Sequence, residues 1–402
     1  MKILVLNAGS SSCKYKLYEM DTQTSLCSGT VERIGEAQGC LTHKIEVKGR
    51  EEKIVVEEAF ADHAAAMNKV INLIRDPVKG VIRDMKEIAA IGHRVLHGGC
   101  HLTAPALVTK DVKKTIAETI PLGPLHNPAN LMGIEVSEKL FPGVPNVAVF
   151  DTAFGMSMPP EAYTYALPQD LCEELHIRRY GFHGTSHTYL VERLTAQLKK
   201  PQDQVNCITL HLGNGSSMGC VKNGKCIDTS MGLTPLEGLV MGTRCGSVDP
   251  AIGPFLMKEK GLTADEVDTI FNKKSGMLGL CGMIDMRDVH TAVEKGDKKA
   301  LLAKNILIRT IRKQLGAYFF LLEGKVDAMV FSAGIGENDD ITRAGICAGL
   351  EGLGIKMDFE LNKKRCGEER LISTPDSKVK IFIIPTNEEL QIALTAMRIV
   401  NG

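Results

Sequence analysis

The sequence has no excess of charge of either sign, no long apolar run and no metal-type cysteine spacing. Its 48 basic and 48 acidic residues cancel, which argues against nucleic acid or an anionic membrane as the main partner. No run of about 18 apolar residues occurs, so we expect no membrane-spanning helix. The 12 cysteines lack CxxC or Cys/His ligand spacing, and we expect buried, reduced thiols. The chain begins with a strand-like segment rather than a signal sequence, and we expect a cytoplasmic protein.

The length of 402 residues predicts two domains, because a single core seldom serves a chain of this size. The hydrophobic fraction of 44% and charged fraction of 24% are those of an ordinary globular protein. We place the domain boundary after Phe150, where an apolar strand ends. The first domain is then residues 1–150, completed by the closing helix at 386–402, and the second is residues 151–385.

A strand followed by a loop of small residues occurs once in each half. Residues 3–14 read ILVLNAGSSSCK, and residues 208–220 read ITLHLGNGSSMGC. When Gly9 is aligned with Gly215, the serine pairs of the two loops also match. An apolar strand that ends in glycine and serines can bring backbone N–H groups close to a phosphate. The repetition therefore indicates two related domains that hold a polyphosphate.

The two standard nucleotide-binding motifs are absent. No segment has the Walker A pattern GxxxxGK[ST] or a complete GxGxxG. A third loop of small residues, SAGIGEN at 332–338, follows another apolar strand. The segment 228–250 has neither helical nor strand periodicity, and a loop of this length inside a compact domain is usually functional.

Eight motifs, in this order, resemble those of the acetate kinase family, within the larger group of sugar kinases, heat-shock chaperones and actin. They are NAGSSS with Lys14, GHRVLHGG, FDTAF, RRYGFHGTSH, HLGNGSS, DTSMGLTPLEGLVMGTR, SAGIGEN and PTNEE. The resemblance spans nearly the whole chain. It implies an α/β fold of two duplicated, ribonuclease H-like domains with a cleft between them. The implied activity is reversible, in-line transfer of the γ-phosphate of ATP to acetate, giving acetyl phosphate and ADP.

Phosphoryl transfer needs charge neutralisation and positioning rather than covalent chemistry. Arginine suits this task because its planar fork holds two carboxylate or phosphate oxygens at once. The resemblance places Arg94 at the acceptor carboxylate and Arg244 at the moving phosphoryl group. It makes His183 a hydrogen-bond donor to the phosphoryl oxygens, and Asp151 a catalytic residue that orients the acceptor or its arginine. No general base is required, because a carboxylate acceptor is already deprotonated.

The resemblance also implies a metal and substrate contacts. Magnesium, or manganese in its place, is expected at Glu388 with support from Asn7, because magnesium takes few protein oxygens beside phosphates. The implied pocket for the acid's methyl group is formed by Leu96, Leu125, Phe182 and Pro235. The implied contacts of ATP or ADP are Lys14, His211, Asn214, Gly215, Asp285, Met286, Arg287, Gly334, Ile335 and Asn338. A homodimer is implied as well.

Two departures from the family's usual residues bear on substrate choice. Leu96 stands where valine is common, which shrinks the pocket and favours acetate over propionate. Met286 stands where an aromatic residue is common, which loosens the packing on adenine. A kinase of propionate or another short-chain acid is the nearest alternative. A non-catalytic ATP-binding module, such as a chaperone or filament protein, is the second, although it has no use for Arg94, His183 and Arg244 together.

Overall fold

The computed structural model describes residues 1–47 and 49–402, whose contacts form two compact units. The first unit comprises Met1–Ala153 and Asn387–Gly402, and the second comprises Phe154–Thr386. The contacts thus change unit after Ala153, whereas the sequence places the boundary after Phe150. Among the described residues, no helix has both the length and the apolar character that a membrane crossing requires.

An eight-stranded mixed sheet forms the first unit. Its strands are β1 (Lys2–Ala8), β2 (Ser12–Glu19), β3 (Thr24–Glu32), β4 (Gly39–Val47), β5 (Arg50–Glu58), β6 (Ile88–Val95), β7 (Ala106–Leu107) and β8 (Asn146–Phe150). They lie in the order β5-β4-β3-β2-β1-β6-β8-β7. Strands β1 to β5 form an antiparallel meander, and β6 and β8 continue the sheet in parallel with β1.

Three helices of the first unit follow these strands: α1 (His63–Ile74), α2 (Lys110–Glu118) and α3 (Asn127–Leu140). The pair Asn127-Pro128 predicts Asn127 as the cap of α3. This prediction is wrong, because His126 is the cap and Asn127 is buried. The Asn127 amide instead bonds both backbone groups of His97, at 3.1 Å to its nitrogen and 2.9 Å to its oxygen. The amide thereby fixes the loop after β6.

The second unit is built on a six-stranded sheet. Its strands are β9 (Cys207–Leu212), β10 (Ser216–Lys222), β11 (Lys225–Thr229), β12 (Ala328–Ser332), β13 (Arg370–Leu371) and β14 (Lys380–Ile383). Their order is β11-β10-β9-β12-β14-β13. The helices are α4 (Pro160–Tyr163), α5 (Gln169–Glu174), α6 (Gly184–Leu198), α7 (Ile252–Lys260), α8 (Ala264–Lys273), α9 (Gly276–Cys281), α10 (Met286–Glu294), α11 (Lys298–Leu321), α12 (Ala333–Asn338), α13 (Asp340–Cys347) and α14 (Phe359–Lys363).

The two sheets repeat one pattern of three antiparallel strands followed by two parallel ones. It appears as β3-β2-β1-β6-β8 in the first unit and as β11-β10-β9-β12-β14 in the second. Residues 9–11 join β1 to β2, and residues 213–215 join β9 to β10. Matching these loops aligns Gly9 with Gly213, whereas the sequence alignment pairs Gly9 with Gly215. That alignment is wrong by two residues, which leaves every side chain on the same face of its strand.

Helix α12 occupies the segment SAGIGEN, which the sequence predicts to be a loop. The helix starts directly after β12, and the Glu337 carboxylate accepts a hydrogen bond of 2.8 Å from the backbone nitrogen of Ala333. Gly336 packs close to the sheet, where an added Cβ would lie 3.4 Å from the carbonyl carbon of Phe331. The loop prediction is wrong because the small residues serve close packing of a short helix rather than a turn.

The last helix, α15 (Glu388–Asn401), belongs to the first unit. Asn387 caps it by accepting a hydrogen bond of 3.0 Å from the nitrogen of Leu390. Its buried face packs on β1, β6 and β8. An added Cβ at Gly92 would lie 2.6 Å from Cγ2 of Ile392, so glycine on β6 permits this close approach. The helix therefore completes a core in the first unit and fixes the position of Glu388.

Seven of the 12 cysteines are buried. Burial raises the pKa of the Cys13 and Cys27 thiols to about 12, so both stay protonated at neutral pH. The prediction of burial is confirmed for these seven, and the reduced state of the thiols stays a prediction.

We predict that acid destabilises the fold through its buried histidines. Burial lowers the pKa of His93 and His97 to about 4 and that of His187 to about 3. The unfolded chain, with a histidine pKa of about 6.5, binds protons that the folded chain refuses, so stability falls as pH drops below 6.5. At pH 5 each of these residues costs about 2 kcal/mol. Thermal unfolding midpoints between pH 7.5 and 5 measure the loss.

The exposed residue His101 provides the control for this prediction. A His101→Gln variant should keep the wild-type dependence of the midpoint on pH. A His93→Gln variant should reduce that dependence, whatever its midpoint at pH 7.5. A wild-type midpoint that stays constant from pH 7.5 to 5 would contradict the prediction.

Candidate active site

Arg94 and Asp151 form a buried ion pair in the first unit. Arg94 is on β6 and Asp151 directly follows β8, where the backbone nitrogen of Asp151 donates to the carbonyl of Val95 at 2.9 Å. Nη2 of Arg94 donates to Oδ2 of Asp151, and the side chains are 18% and 2% exposed. Burial opposes the charge on Arg94, but Asp151 and Glu388 outweigh it and raise the pKa of the guanidinium. The pair holds a fixed cation whose remaining donors can bind an anion.

Glu388 lies at the start of α15, near this pair. Glu388, Arg94, Asn7 and Lys14 line one cavity of about 550 Å³. Burial and the Asp151 carboxylate raise the pKa of Glu388 to about 7, although Arg94 and Lys14 oppose the shift. A carboxylate that is repelled by another carboxylate is stabilised by a cation. Together with the amide oxygen of Asn7, the Glu388 carboxylate offers the oxygen donors that magnesium prefers.

The loop at residues 9–11 is held by side chains that sequence reasoning missed. Nε2 of His63 lies 2.8 Å from the carbonyl oxygen of Gly9. Asn130 of α3 donates to the carbonyl of Ala8 at 2.8 Å and accepts from the nitrogen of Leu96 at 3.0 Å. One amide thus connects the end of β1 with the residue after β6. The only sequence signal was Asn130 one helical turn after Asn127.

The four residues of the implied acid pocket are divided between the units. Leu96 and Leu125 belong to the first unit, where Leu96 is buried and Leu125 is 74% exposed. Phe182 and Pro235 belong to the second unit, where Phe182 is buried and Pro235 is half-buried. Their joint role as a pocket stays a prediction.

His183 belongs to the second unit and lies directly before α6, close to the loop at residues 213–215. Its backbone is left-handed, with a φ of 57°, which is uncommon for a residue other than glycine. Nδ1 of His183 lies 2.9 Å from Oγ of Ser217, and its ring stacks on His211 with 4.2 Å between centroids. These contacts hold the ring beside the loop at residues 213–215.

Arg244 approaches the same loop from the segment that follows β11. A Cβ placed on Gly215 would lie 3.4 Å from Nη1 of Arg244 and 3.5 Å from Nε2 of His183. Arg244 is half-buried and donates to the carbonyl of Pro235 at 3.2 Å, but no acidic side chain pairs with it in the described part of the chain. Burial lowers the pKa of its guanidinium. A half-buried cation of this kind favours an anion beside it.

A cavity of about 720 Å³ in the second unit adjoins this loop. Seven of the residues implied in nucleotide binding line it: Asn214, Asp285, Met286, Arg287, Gly334, Ile335 and Asn338. Gly215 lies in the adjoining loop and His211 on β9, whereas Lys14 belongs to the first unit. Asp285 caps α10 and pairs with Arg287, which lowers the pKa of its carboxyl group to about 2. The cavity is large enough for a nucleotide.

Sequence reasoning missed a hydrogen-bonded pair of side chains in this cavity. Nε2 of His290 lies 2.9 and 2.8 Å from the two carboxylate oxygens of Asp339, and both residues line the cavity. The Asp339 carboxylate also accepts from the nitrogen and hydroxyl of Thr342. The pair ties α10 to α13 across the pocket wall. No sequence signal connects residues so far apart in the chain.

The chain is similar to known proteins over nearly its whole length, both in sequence and in structure. Residues 2–394 match the model of the acetokinase family. An acetate kinase of Desulfovibrio desulfuricans is 64% identical over 99% of both chains. The acetate kinase structure of Porphyromonas gingivalis is 44% identical with a TM-score of 0.95, over 99% of both chains. A propionate kinase structure of Francisella tularensis is 40% identical with a TM-score of 0.89, over 99% of both chains. The predicted α/β fold class is confirmed.

Proposed function

The chain belongs to the acetokinase family, and on this premise we propose magnesium-dependent, direct in-line transfer of the γ-phosphoryl group of ATP to acetate. It is a phosphotransferase with a carboxyl group as acceptor, and ATP or ADP is its nucleotide. The observation that carries the proposed site is the convergence of Arg244 and His183 on Gly215, where the half-buried Arg244 has no acidic partner among the residues that the structure describes. Such a site favours a phosphoryl group whose charge is spread over three oxygens.

Each residue has one role in the proposed reaction. Arg244 and His183 donate to the phosphoryl oxygens as charge develops on them. Arg94, held by Asp151, binds the carboxylate of acetate with its fork. No side chain removes a proton, because the attacking carboxylate oxygen is already anionic. The products are acetyl phosphate and ADP, and the same contacts serve the reverse reaction.

The donor set at Glu388 and Asn7 fits magnesium, and manganese would be held in the same way. A bound divalent cation would neutralise phosphate charge during transfer. The raised pKa of Glu388 supports this role, since a cation would relieve the repulsion between this carboxylate and Asp151. A homodimer, a cytoplasmic location and the absence of a nucleic-acid partner stay predictions.

The choice of acid depends on Leu96, which is buried next to the loop held by Asn130. We expect acetate to be preferred over propionate. Leu96→Val should raise the propionate-to-acetate ratio of kcat/KM about tenfold, because the smaller side chain leaves room for one more methylene group of the acid. The measurement uses ATP, magnesium and each acid, with the acyl phosphate trapped by hydroxylamine. A wild-type preference for propionate would contradict the pocket assignment and support the alternative that the Francisella neighbour suggests.

A non-catalytic ATP-binding module gives a different result in the same assay. It would hydrolyse ATP at a rate independent of the acid and would form no hydroxamate. The proposed kinase releases ADP only in proportion to the hydroxamate formed. Turnover of ATP without dependence on any short-chain acid would therefore exclude the proposed function.

A further inference from the structure

A buried series of hydrogen bonds runs from His183 away from the phosphate loop. Nδ1 of His183 lies 2.9 Å from Oγ of Ser217, which lies 2.8 Å from Nε2 of His187. Nδ1 of His187 lies 2.8 Å from Oγ1 of Thr209, which lies 3.4 Å from the carbonyl oxygen of Gly219. Ser217, His187 and Thr209 are completely buried. We call Ser217, His187, Thr209 and the Gly219 carbonyl the histidine relay.

The packing around the histidine relay is specific. A Cβ at Gly219 would lie 2.8 Å from Oγ1 of Thr209 and 3.0 Å from Cε1 of Phe154, so glycine is required here. Phe154 stacks on the ring of His187 with 5.2 Å between centroids. Burial, aided by His211, lowers the pKa of His187 to about 3, so this ring is neutral and carries one proton.

Because Ser217 has one hydroxyl proton and contacts two imidazole rings, the proton positions along the relay are linked. In one of two possible directions, which we call outward because it leads away from His183, Nδ1–H of His183 donates to Ser217, and Ser217 donates to His187. His187 then donates to Thr209, and Thr209 donates to the carbonyl of Gly219. All four separations carry a proton in this direction. In the reverse direction Thr209 donates to His187 and gives up its contact with the carbonyl of Gly219, so the outward direction makes one more hydrogen bond within the buried network.

We propose that Ser217, His187 and Thr209 are positioning residues that keep a proton on Nδ1 of His183. This inference rests on the proposed phosphoryl transfer, in which Nε2 of His183 donates to the phosphoryl oxygens. A ring that is protonated at both nitrogens is a cation, and a cation suits a phosphoryl group whose charge is spread over three oxygens. The neighbouring ionisable groups, His211 and Arg244, disfavour that cation, so a buried acceptor for Nδ1–H is needed to retain it.

The matched variants Thr209→Val and Thr209→Ser test the proposal. Valine has the shape of threonine without its hydroxyl, so Nδ1–H of His187 loses its acceptor and the relay reverses. We expect Thr209→Val to lower kcat about tenfold, with KM values for acetate and ATP within about twofold of wild type. Serine restores the hydroxyl and should restore kcat. In ¹⁵N NMR, assigned with a His183→Gln sample, Nδ1 of His183 should be protonated in wild type and Thr209→Ser, and unprotonated in Thr209→Val.

An unprotonated Nδ1 of His183 in the wild type would overturn the proposal, and so would equal spectra and rates for the two Thr209 variants. Ser217→Ala cuts the relay beside His183 and serves if Thr209→Val does not fold. Its expected result is also an unprotonated Nδ1 and a lower kcat, and a protonated Nδ1 there would count against the relay. The NMR measurement needs no turnover. Failure of the proposed function would instead appear as a wild type without acid-dependent activity.

Discussion

Replacing Arg244 by alanine is expected to lower kcat by about 10³-fold or more, the effect of removing an arginine that stabilises a phosphoryl group in flight. The Arg244 side chain has no acidic partner in the described structure, so its removal takes no counter-ion away from a buried carboxylate. We therefore expect the thermal midpoint to stay within a few degrees of wild type. Initial rates of acyl phosphate formation, with ATP binding measured by calorimetry, separate lost catalysis from lost binding.

Two variants control the Arg244 experiment. Arg244→Lys keeps the charge but not the planar fork, and it should recover only a small part of the activity. Arg309→Ala removes an exposed arginine from α11 of the same unit and should leave kcat unchanged. If Arg244→Ala kept more than about a tenth of the wild-type kcat, the residue would not stabilise the moving group, since that role is worth several orders of magnitude.

The duplicated fold could be predicted from the sequence because each half carries the same strand and small-residue loop. The alignment of the two copies of this repeat could not be predicted. Matching serines favours pairing Gly9 with Gly215, whereas the loop lengths of the two hairpins pair Gly9 with Gly213. The points at which the strands end fix this alignment, and matching serines in the sequence does not show where those ends lie. Similarly, Asn127 has the signal of a helix cap but serves a contact with His97, 30 residues away.

The motifs that resemble the acetate kinase family point to the charged residues of the candidate site, and the roles of these residues stay predictions. The side chains that orient these charged residues could not be predicted from the sequence. Thr209 has the sequence character of an ordinary β-branched strand residue, and nothing in the sequence indicates that its hydroxyl contacts His187, 22 positions away. His290 on α10 and Asp339, which caps α13, are likewise brought together only by the tertiary fold. Charge at a strand end is visible in a sequence, whereas the hydrogen bonds that orient it depend on tertiary packing.

Replacing Arg94 by alanine is expected to lower kcat/KM for acetate about 10³-fold while KM for ATP changes by less than about threefold. The physical reason is the fixed fork of Arg94, whose Nη2 is bound to Asp151 and whose other donors are left for the acid. Arg94→Lys should not rescue the reaction, because a single ammonium group cannot serve Asp151 and bind two carboxylate oxygens together. Rates at varied acetate and at varied ATP measure the two effects separately.

The Arg94→Ala variant also removes the cation that offsets the charge of the buried Asp151 carboxylate, at a cost on the order of 3–5 kcal/mol. A second change, Asp151→Asn, removes that charge and should return much of the thermal midpoint without returning activity. This double variant distinguishes a contact with the acid from a purely structural ion pair. If it catalysed the reaction within about tenfold of wild type, Arg94 would act only as the partner of Asp151, since an acid-binding arginine is worth more than this.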